Sequence, residues 1–398
     1  MENPPKKLKM SKNVVLLGWV SFFNDIASEM IYPVVPIFLT TVLGAPVVAV
    51  GLIEGVAEST ASFLKVVSGW FSDKFKRRKP FVVLGYSLST FAKIIFGFAY
   101  HWPTVFVGRF VDRLGKGTRT SARDALIADS TDPAIRGKAF GLHRSLDTLG
   151  AVVGPIVALI FLAGVSQNLR LIFFFAFIPS LIGILLLVFF IKDVPKENTK
   201  AQKPKFRFSQ LSPSFKIFLL ISVVFAIGNS SDAFLILRAK DLGMSNFLTI
   251  FTYVLFNITY ALFSLPAGIL SDKIGFRKVL IVGFLIFALV YFGFGIIQTS
   301  WLVWLLFLIY GFYMAFTDGV GKAYISKIVP PEQMGTCLGI YQTATGICVL
   351  FASLIAGALW TYVNPQITFF YGAFLAIISI LLFIWLERQA RRGGLSSP

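Results

Sequence analysis

Apolar runs long enough to cross a bilayer follow one another along nearly the whole chain. A helix needs about 20 apolar residues to span the hydrocarbon core. A soluble fold of this size would leave most of that apolar surface with nowhere to go. Inside lipid every backbone N–H and C=O must be satisfied within the segment or a closed barrel, so spans are helices or barrel strands. Barrel strands alternate polarity over short segments, and these runs do not. The sequence therefore predicts an all-α membrane protein. We place spans at 14–42, 46–71, 80–99, 103–127, 137–164 and 169–191, then at 214–240, 247–270, 279–298, 301–327, 333–362 and 366–386. A polar, basic linker with Pro195, Pro204 and Pro213 occupies 192–213 and divides six spans from six. The expected domains are a bundle over 1–191, the linker, and a bundle over 214–398. Other connections are too short to hold a soluble domain.

Composition agrees: mean hydropathy is +0.77, and only 14% of residues are charged. The formal charge of +18 would suggest nucleic acid in a soluble protein. Here Lys and Arg gather on one side: Lys6, Lys7, Lys9 and Lys12, then Lys74 to Lys79, the linker, and Arg388, Arg391 and Arg392. That asymmetry sets topology and puts both termini in the cytoplasm. Arg170, Arg238 and Lys240 are exceptions on the opposite side. Cys337 and Cys348 fall in one span, so no disulfide framework is indicated. His101 and His143 are too few for a histidine-rich metal site, and no Ser-His nucleophile motif is present. Neither an enzyme nor a cofactor is expected. The first span carries Asp25 and Glu29 and is too long for a cleavable signal peptide.

One stretch recurs at half-chain period. Gly69-Trp70-Phe71-Ser72-Asp73-Lys74-Phe75-Lys76-Arg77-Arg78-Lys79 returns as Gly268-Ile269-Leu270-Ser271-Asp272-Lys273-Ile274-Gly275-Phe276-Arg277-Lys278. Equivalent loops in two halves are the mark of an internally duplicated membrane protein. The glycine, the aspartate four residues on and the basic cluster resemble the loop signature of the major facilitator superfamily. The second copy fits in full; the first has Lys76 where the family usually has glycine. Span four reads Gly108-Arg109-Phe110-Val111-Asp112-Arg113-Leu114-Gly115. It resembles the superfamily's fourth-helix motif, with Asp112 for the usual Gln and Arg113 for the first glycine. Span five holds Gly150-Ala151-Val152-Val153-Gly154-Pro155. This resembles the Gly-x-x-x-Gly-Pro signature of the family's exporting antiporters; small residues let helices approach, and proline relaxes the helix.

Ionisable groups inside spans are functional candidates by default. Span one has Asn24, Asp25 and Glu29, the two acids sharing a face, with Asp25 near the midplane. Pro33 and Pro36 loosen its outer end. Span two has Glu54, Glu58 and Lys65. Lys93 in span three has no assigned partner. Arg109, Asp112, Arg113 and Lys116 form a stripe that must face protein or water, and Arg144 and Asp147 follow in span five. Two readings stay open for this set: a proton relay through Asp25, Glu29, Glu54, Glu58, Arg109, Asp112, Arg113, Arg144 and Asp147, or a static ion-pair core. The second half offers Asp232, Asp318 and Lys322, with Asn229, Tyr253, Asn257, Tyr260, Tyr310, Tyr313, Tyr341 and Gln342 as an amphipathic lining.

The resemblance implies two six-helix bundles that rock around a central cavity. It implies gating by Gly69, Asp73, Lys74, Arg77 and Arg78, with Arg119 and Arg123 as partners of Asp73. Gly268, Asp272, Lys273 and Arg277 match them in the second half, and Gly150, Gly154 and Pro155 complete the set. A substrate would meet Asn24, Asn229, Asp232, Tyr253, Asn257, Tyr313, Asp318, Tyr341 and Gln342. The expected activity is proton-coupled export of a small organic molecule by a monomer in the plasma (inner) membrane, with no nucleic-acid partner. Alternatives are proton-coupled import of a metabolite or metal chelate, and lipid translocation. A sensor or lipid-handling enzyme has no support in the sequence.

Overall fold

The computed structural model describes residues 10–75, 77–132, 135–193, 211–330 and 333–392, without the side chains of 70, 73, 74 and 386–392. The expected linker falls almost wholly outside the described residues. All regular structure among them is helical. The helices are α1 (Lys12–Ile31), α2 (Val34–Ile37), α3 (Val47–Phe75), α4 (Lys79–Gly97), α5 (Trp102–Asp129), α6 (Arg136–Gly164) and α7 (Leu169–Phe190). Then follow α8 (Pro213–Gly228), α9 (Ala233–Asp241), α10 (Asn246–Ile274), α11 (Phe276–Ile296), α12 (Trp301–Ile328), α13 (Met334–Tyr362) and α14 (Pro365–Arg392). Eleven spans are long and apolar enough to cross a membrane, counting Lys12–Val42 and Pro213–Asp241 as one each. Helix α5 is equally long, at 28 residues, but its charged stripe keeps it out of that set; it makes the twelfth.

Two spans are interrupted. The first stops at Ile31, restarts at Val34 and ends in a turn of π-helix, Phe38–Val42. Pro33 and Pro36 remove two amide donors there. Thr40 Oγ1 bonds the Pro36 carbonyl at 3.0 Å and Thr41 Oγ1 the Ile37 carbonyl at 2.7 Å. The break between α8 and α9 was not expected, since we read 214–240 as continuous. It falls on Gly228-Asn229-Ser230-Ser231-Asp232, a run of residues that each disfavour helix interiors.

The helices pack into two compact units, Met1–Tyr32 with Phe63–Ala201, and Pro33–Ser62 with Gln202–Pro398. The repeat in the sequence divides the chain near 192–213, whereas packing joins 33–62 to the later helices.

In the first unit α1 lies against α6 and α7, and α4 against α5 and α7. The α1–α6 contact is close because α6 presents glycine. A Cβ at Gly150 would lie 2.6 Å from the Phe22 carbonyl oxygen, and one at Gly154 would lie 2.6 Å from that of Ile26. Gly85 and Gly115 give α4 and α5 the same backbone-to-backbone approach, with a Cβ on Gly85 2.6 Å from the Gly115 oxygen. An apolar core of Val14, Leu17, Val20, Val82, Tyr86 and Leu126 closes one end.

In the second unit α10 packs on α12, α11 on α12 and α14, and α8 on α13 and α14. Helix α2 rests on α9, and the first half of α3 rests on α13. A Cβ at Gly55 would sit 3.0 Å from the Leu350 oxygen, and one at Gly357 would sit 2.9 Å from Val48 Cα. Ser59 Oγ bonds the Gly346 oxygen at 2.9 Å, and Val48 N bonds Thr361 Oγ1 at 3.1 Å. Gly275, between α10 and α11, has φ +97°. That conformation favours glycine, which explains the glycine of the second signature copy. Lys76, its counterpart, lies outside the described residues.

The exceptions to the charge asymmetry are helix caps. Arg170 Nη1 bonds the carbonyls of Gly97 and Ala99 at the end of α4, and its guanidinium lies 4.5 Å from the Tyr100 ring centre. Arg238 bonds the Phe294 and Ile297 carbonyls at the end of α11, at 3.2 and 2.8 Å, and pairs with Asp241. Lys240 Nζ bonds the Met244 carbonyl at 2.8 Å. Helix ends leave carbonyls unpaired, and a buried cation satisfies them.

Candidate functional site

The first unit's polar interior is built by matching periodicity. On α1, Ser21 and Asp25 are four residues apart; on α6, His143 and Asp147 are four apart. Residues at that spacing share a face, and the Gly150 and Gly154 contact brings the two faces together. The Asp25 and Asp147 carboxyls come together across this seam and act on each other. The acid in contact with Asp25 is thus Asp147, from another helix, where the sequence suggested Glu29 as its like-charged neighbour. Around them, Arg144 Nη1 reaches Asp147 at 3.2 Å and Arg123 Nη1 at 3.9 Å. Arg123 also holds Asp124 at 2.9 Å and reaches Ser21 Oγ at 3.3 Å. Ser21 Oγ meets His143 Nε2 at 2.8 Å and Tyr86 OH at 3.0 Å. Four helices thereby contribute to one network in contact with the acid pair.

The charged stripe of α5 is buried, as its cost in lipid requires. Arg109, Asp112 and Arg113 are at most 5% exposed, and Lys93 on α4 is fully buried. Lys93 and Arg113 approach Asp112 at 3.9 and 4.0 Å. Arg109 lies over the Tyr32 ring, 5.1 Å from its centre. Lys116 is half-buried. Glu54 is buried and Glu58 half-buried on the part of α3 that belongs to the second packing unit, while Lys65 lies in the first; the face they share in sequence is divided between the units.

At the signature loop, Gly69 abuts Ser121, a Cβ there lying 3.2 Å from Ser121 Cβ. Arg78 bonds Asp129 Oδ2 at 3.3 Å and Ser72 Oγ at 2.7 Å, and its amide bonds Asp193 Oδ1 at 3.2 Å. Arg77 is exposed. The side chains of Asp73 and Lys74 lie outside the described residues. Arg119, expected beside Asp73, donates to Ser89 Oγ at 2.5 Å and stacks on Tyr86. Arg123 is engaged by the network above. In the second copy Asp272 and Lys273 are exposed, a Cβ at Gly268 would meet nothing within 4 Å among the described residues, and Arg277 Nε bonds Tyr324 OH at 2.7 Å. Lys322 pairs with Asp318 at 2.6 Å.

The second unit joins acids to tyrosines. Tyr310 OH bonds Asp232 Oδ1 at 2.6 Å, and Tyr260 OH bonds Asp318 Oδ2 at 3.0 Å. Asn229 Nδ2 donates to Tyr313 OH at 3.0 Å, and Ser231 N to Ser353 Oγ at 3.2 Å. The interrupted segment thus gathers Asn229, Asp232 and Tyr313, with Tyr291 stacked on Phe287 beside them. Asn257 donates to its own helix at Tyr253. Tyr341 stacks on Phe218, and Gln342 is half-buried. Ser21, Tyr86, His143, Ser89 and Tyr291 were missed as site residues. Ser21 and His143 were legible as the i−4 neighbours of Asp25 and Asp147; the others carry no signal of their own.

Twelve spans, two loop signatures and charge buried at mid-span describe a transporter. A family model described as Major Facilitator Superfamily matches residues 17–250 and 217–397. The chain belongs to the major facilitator superfamily. It is 39% identical over 393 residues to an uncharacterized MFS-type transporter of Methanocaldococcus jannaschii, covering 97% of both chains. It is 22% identical over 416 residues to the quinolone resistance protein NorA of Staphylococcus aureus, covering 96% of this chain and 98% of that one. Among solved structures, a nucleoside transporter superposes with a TM-score of 0.77 at 15% identity, over 94% of this chain and 100% of that one. A POT family transporter gives 0.79 at 11%, over 96% and 99%. At such identity these structures establish the fold. The chain is therefore an integral membrane transporter of the superfamily, with a small-molecule substrate, and not an enzyme.

Proposed function

We propose that this superfamily member is a proton-coupled exporter of a small organic molecule, with Asp25 and Asp147 as the coupling pair. The observation that carries the reading is their approach across the α1–α6 seam, where each acid acts on the other. Two carboxyls brought together repel unless a proton is shared between them, so such a pair can hold one proton and release it when the acids separate. Arg123 and Arg144 flank Asp147 and stabilise the charge left behind. The α1–α6 seam that creates the pair runs through Gly150 and Gly154, so movement of α1 on α6 makes and breaks it. Glu29, Glu54, Glu58, Arg109, Asp112 and Arg113 form the supporting charge set, and the likeness to NorA favours outward transport. The charge asymmetry supports a plasma-membrane protein with both termini in the cytoplasm. On that orientation the α3–α13 contact lies at the outer end and must part for release outward. Asp73 and Asp272 gate the inner face.

The test uses proteoliposomes with an imposed pH gradient and a fluorescent quinolone as probe. Wild-type protein concentrates the probe against its gradient, in the direction that lets protons run down theirs. Asp147→Asn and Asp25→Asn retain exchange at equal pH and lose net accumulation. Accumulation driven with the proton rather than against it makes the protein an importer. Undiminished accumulation in both variants removes the coupling role.

A further inference from the structure

The proton pair leaves unexplained a second cluster in the first unit, on the seam of α1, α4, α5 and α7. Lys93 Nζ and the Arg119 guanidinium converge on one residue: Nζ bonds the Ser89 carbonyl at 2.9 Å, and Arg119 Nη1 bonds Ser89 Oγ. Both cations are buried, at 0% and 4% exposure. Ser89 Oγ donates its own proton to the Asp112 carbonyl, so it offers Arg119 a lone pair and no charge. One carboxylate, Asp112, stands opposite, and it is shared: Lys93 lies 3.9 Å and Arg113 4.0 Å from it, both beyond hydrogen-bond distance. Among the described residues Arg119 has the Ser89 hydroxyl and the Tyr86 ring as partners, and neither is an acid. Asp147 is engaged by Arg123 and Arg144, and Asp25, which faces Asp147, is a further acid whose charge reaches Arg119 and Lys93.

A neutral donor in the same unit is also unsatisfied. Asn24 is 1% exposed and its Nδ2 has no hydrogen-bond partner. Its Oδ1 faces Ser180 Oγ at 3.5 Å, and Ser180 Oγ meets Thr90 Oγ1 at 2.6 Å, one turn before Lys93. The seam therefore holds more donors and more positive charge than acceptors. Buried cations converging without matching carboxylates are expensive in a membrane interior, and burying a donor unpaired adds to the cost.

We infer that this seam takes an anion, held by Lys93 and Arg119 with Asn24 as a neutral donor. The occupant is either a free inorganic anion or the carboxylate or phosphate group of the transported molecule. Either would supply the missing acceptors and lower the mutual repulsion of the two cations. The inference does not depend on proton coupling or on the direction of transport.

The test is thermal unfolding of the purified full-length protein in detergent, in sodium gluconate at constant ionic strength. Chloride, inorganic phosphate, acetate or benzoate replaces gluconate stepwise. A saturable rise in Tm is expected for at least one of them, because a ligand that binds only the folded state stabilises it by mass action. Lys93→Met should abolish the rise and also raise the Tm of the protein in gluconate alone, since it removes a like charge beside Arg119. Lys327→Met, at an exposed site, should retain the full response. Saturation by chloride or phosphate assigns the seam to a free anion; saturation by acetate or benzoate alone assigns it to an organic acid. If Lys93→Met does not fold, Arg119→Gln takes its place with the same loss expected. The absence of any saturable shift, or one that persists in these variants, overturns the anion site.

Discussion

The acids of the two units keep different company. In the first, Asp25 meets Asp147, Asp147 meets Arg123 and Arg144, and Asp112 stands among Lys93 and Arg113. In the second, Asp232 is bonded to Tyr310, and Asp318 to Tyr260 and Lys322. Charges in low dielectric act on one another over several residues, so a change at one titrating group alters its neighbours. A phenol satisfies a carboxylate locally and passes little on. In the first unit a change of charge at one group reaches many others. The second presents hydroxyls, amides and ring faces, with its polar backbone exposed by an interruption at 229–232.

That contrast can be broken most severely at the glycines that assemble the first network. Gly150→Leu places a side chain against the Phe22 backbone, which cannot yield as a side-chain tip could. Loss of about 3 kcal/mol or more is expected, read as loss of the monodisperse peak in fluorescence-detected size exclusion. Gly137→Ala on the same helix meets no atom within 4 Å among the described residues and should elute as wild type. Equal behaviour of the two would mean that the α1–α6 approach is not close in solution.

The acids themselves come next. Asp147→Asn should lower gradient-driven accumulation by about a hundredfold, equivalent to about 2.7 kcal/mol of lost coupling. Asp318→Asn keeps its bond from Tyr260 and should cost about threefold or less. An Asp318 effect as large as that of Asp147 would remove the division of labour between the units.

The capping arginines sharpen the comparison, because each unit has one. Arg238→Gln strips a buried guanidinium from two carbonyls and should cost about 2 kcal/mol; Arg170→Gln, at a half-buried site, should cost about 1 kcal/mol. Thermal unfolding of the two variants gives the order directly, and a reversed order would contradict the burial difference. The smallest effect belongs to Tyr310→Phe, which removes one hydrogen bond to Asp232 and should cost about 1 kcal/mol or less without altering the pH dependence of transport. A shifted pH profile would place Asp232 in the coupling network.

The fold was legible because each constraint on it is local. Eleven apolar runs with a twelfth of charged stripe, a recurring loop and one-sided basic charge each follow from how a chain meets lipid, whatever the helices later touch. Gly150, Gly154 and the α5 stripe were legible as residues that had to face something. What they face was not. The partner of Asp25 proved to be Asp147, 122 positions away by their numbers, because a glycine-lined seam let α6 approach α1. The interruption at 229–232 was written in five poor helix formers, yet a membrane helix breaks at such a run only where neighbouring groups satisfy the freed backbone; here Ser353 Oγ accepts from Ser231 N. Arg170 and Arg238 looked like violations of topology until α4 and α11 ended beside them. Sequence determined which groups enter the membrane, since burial in lipid is decided residue by residue. Tertiary structure alone decided which of them meet another acid, cap a helix or lie beside a second cation, because those are properties of pairs brought together across helices.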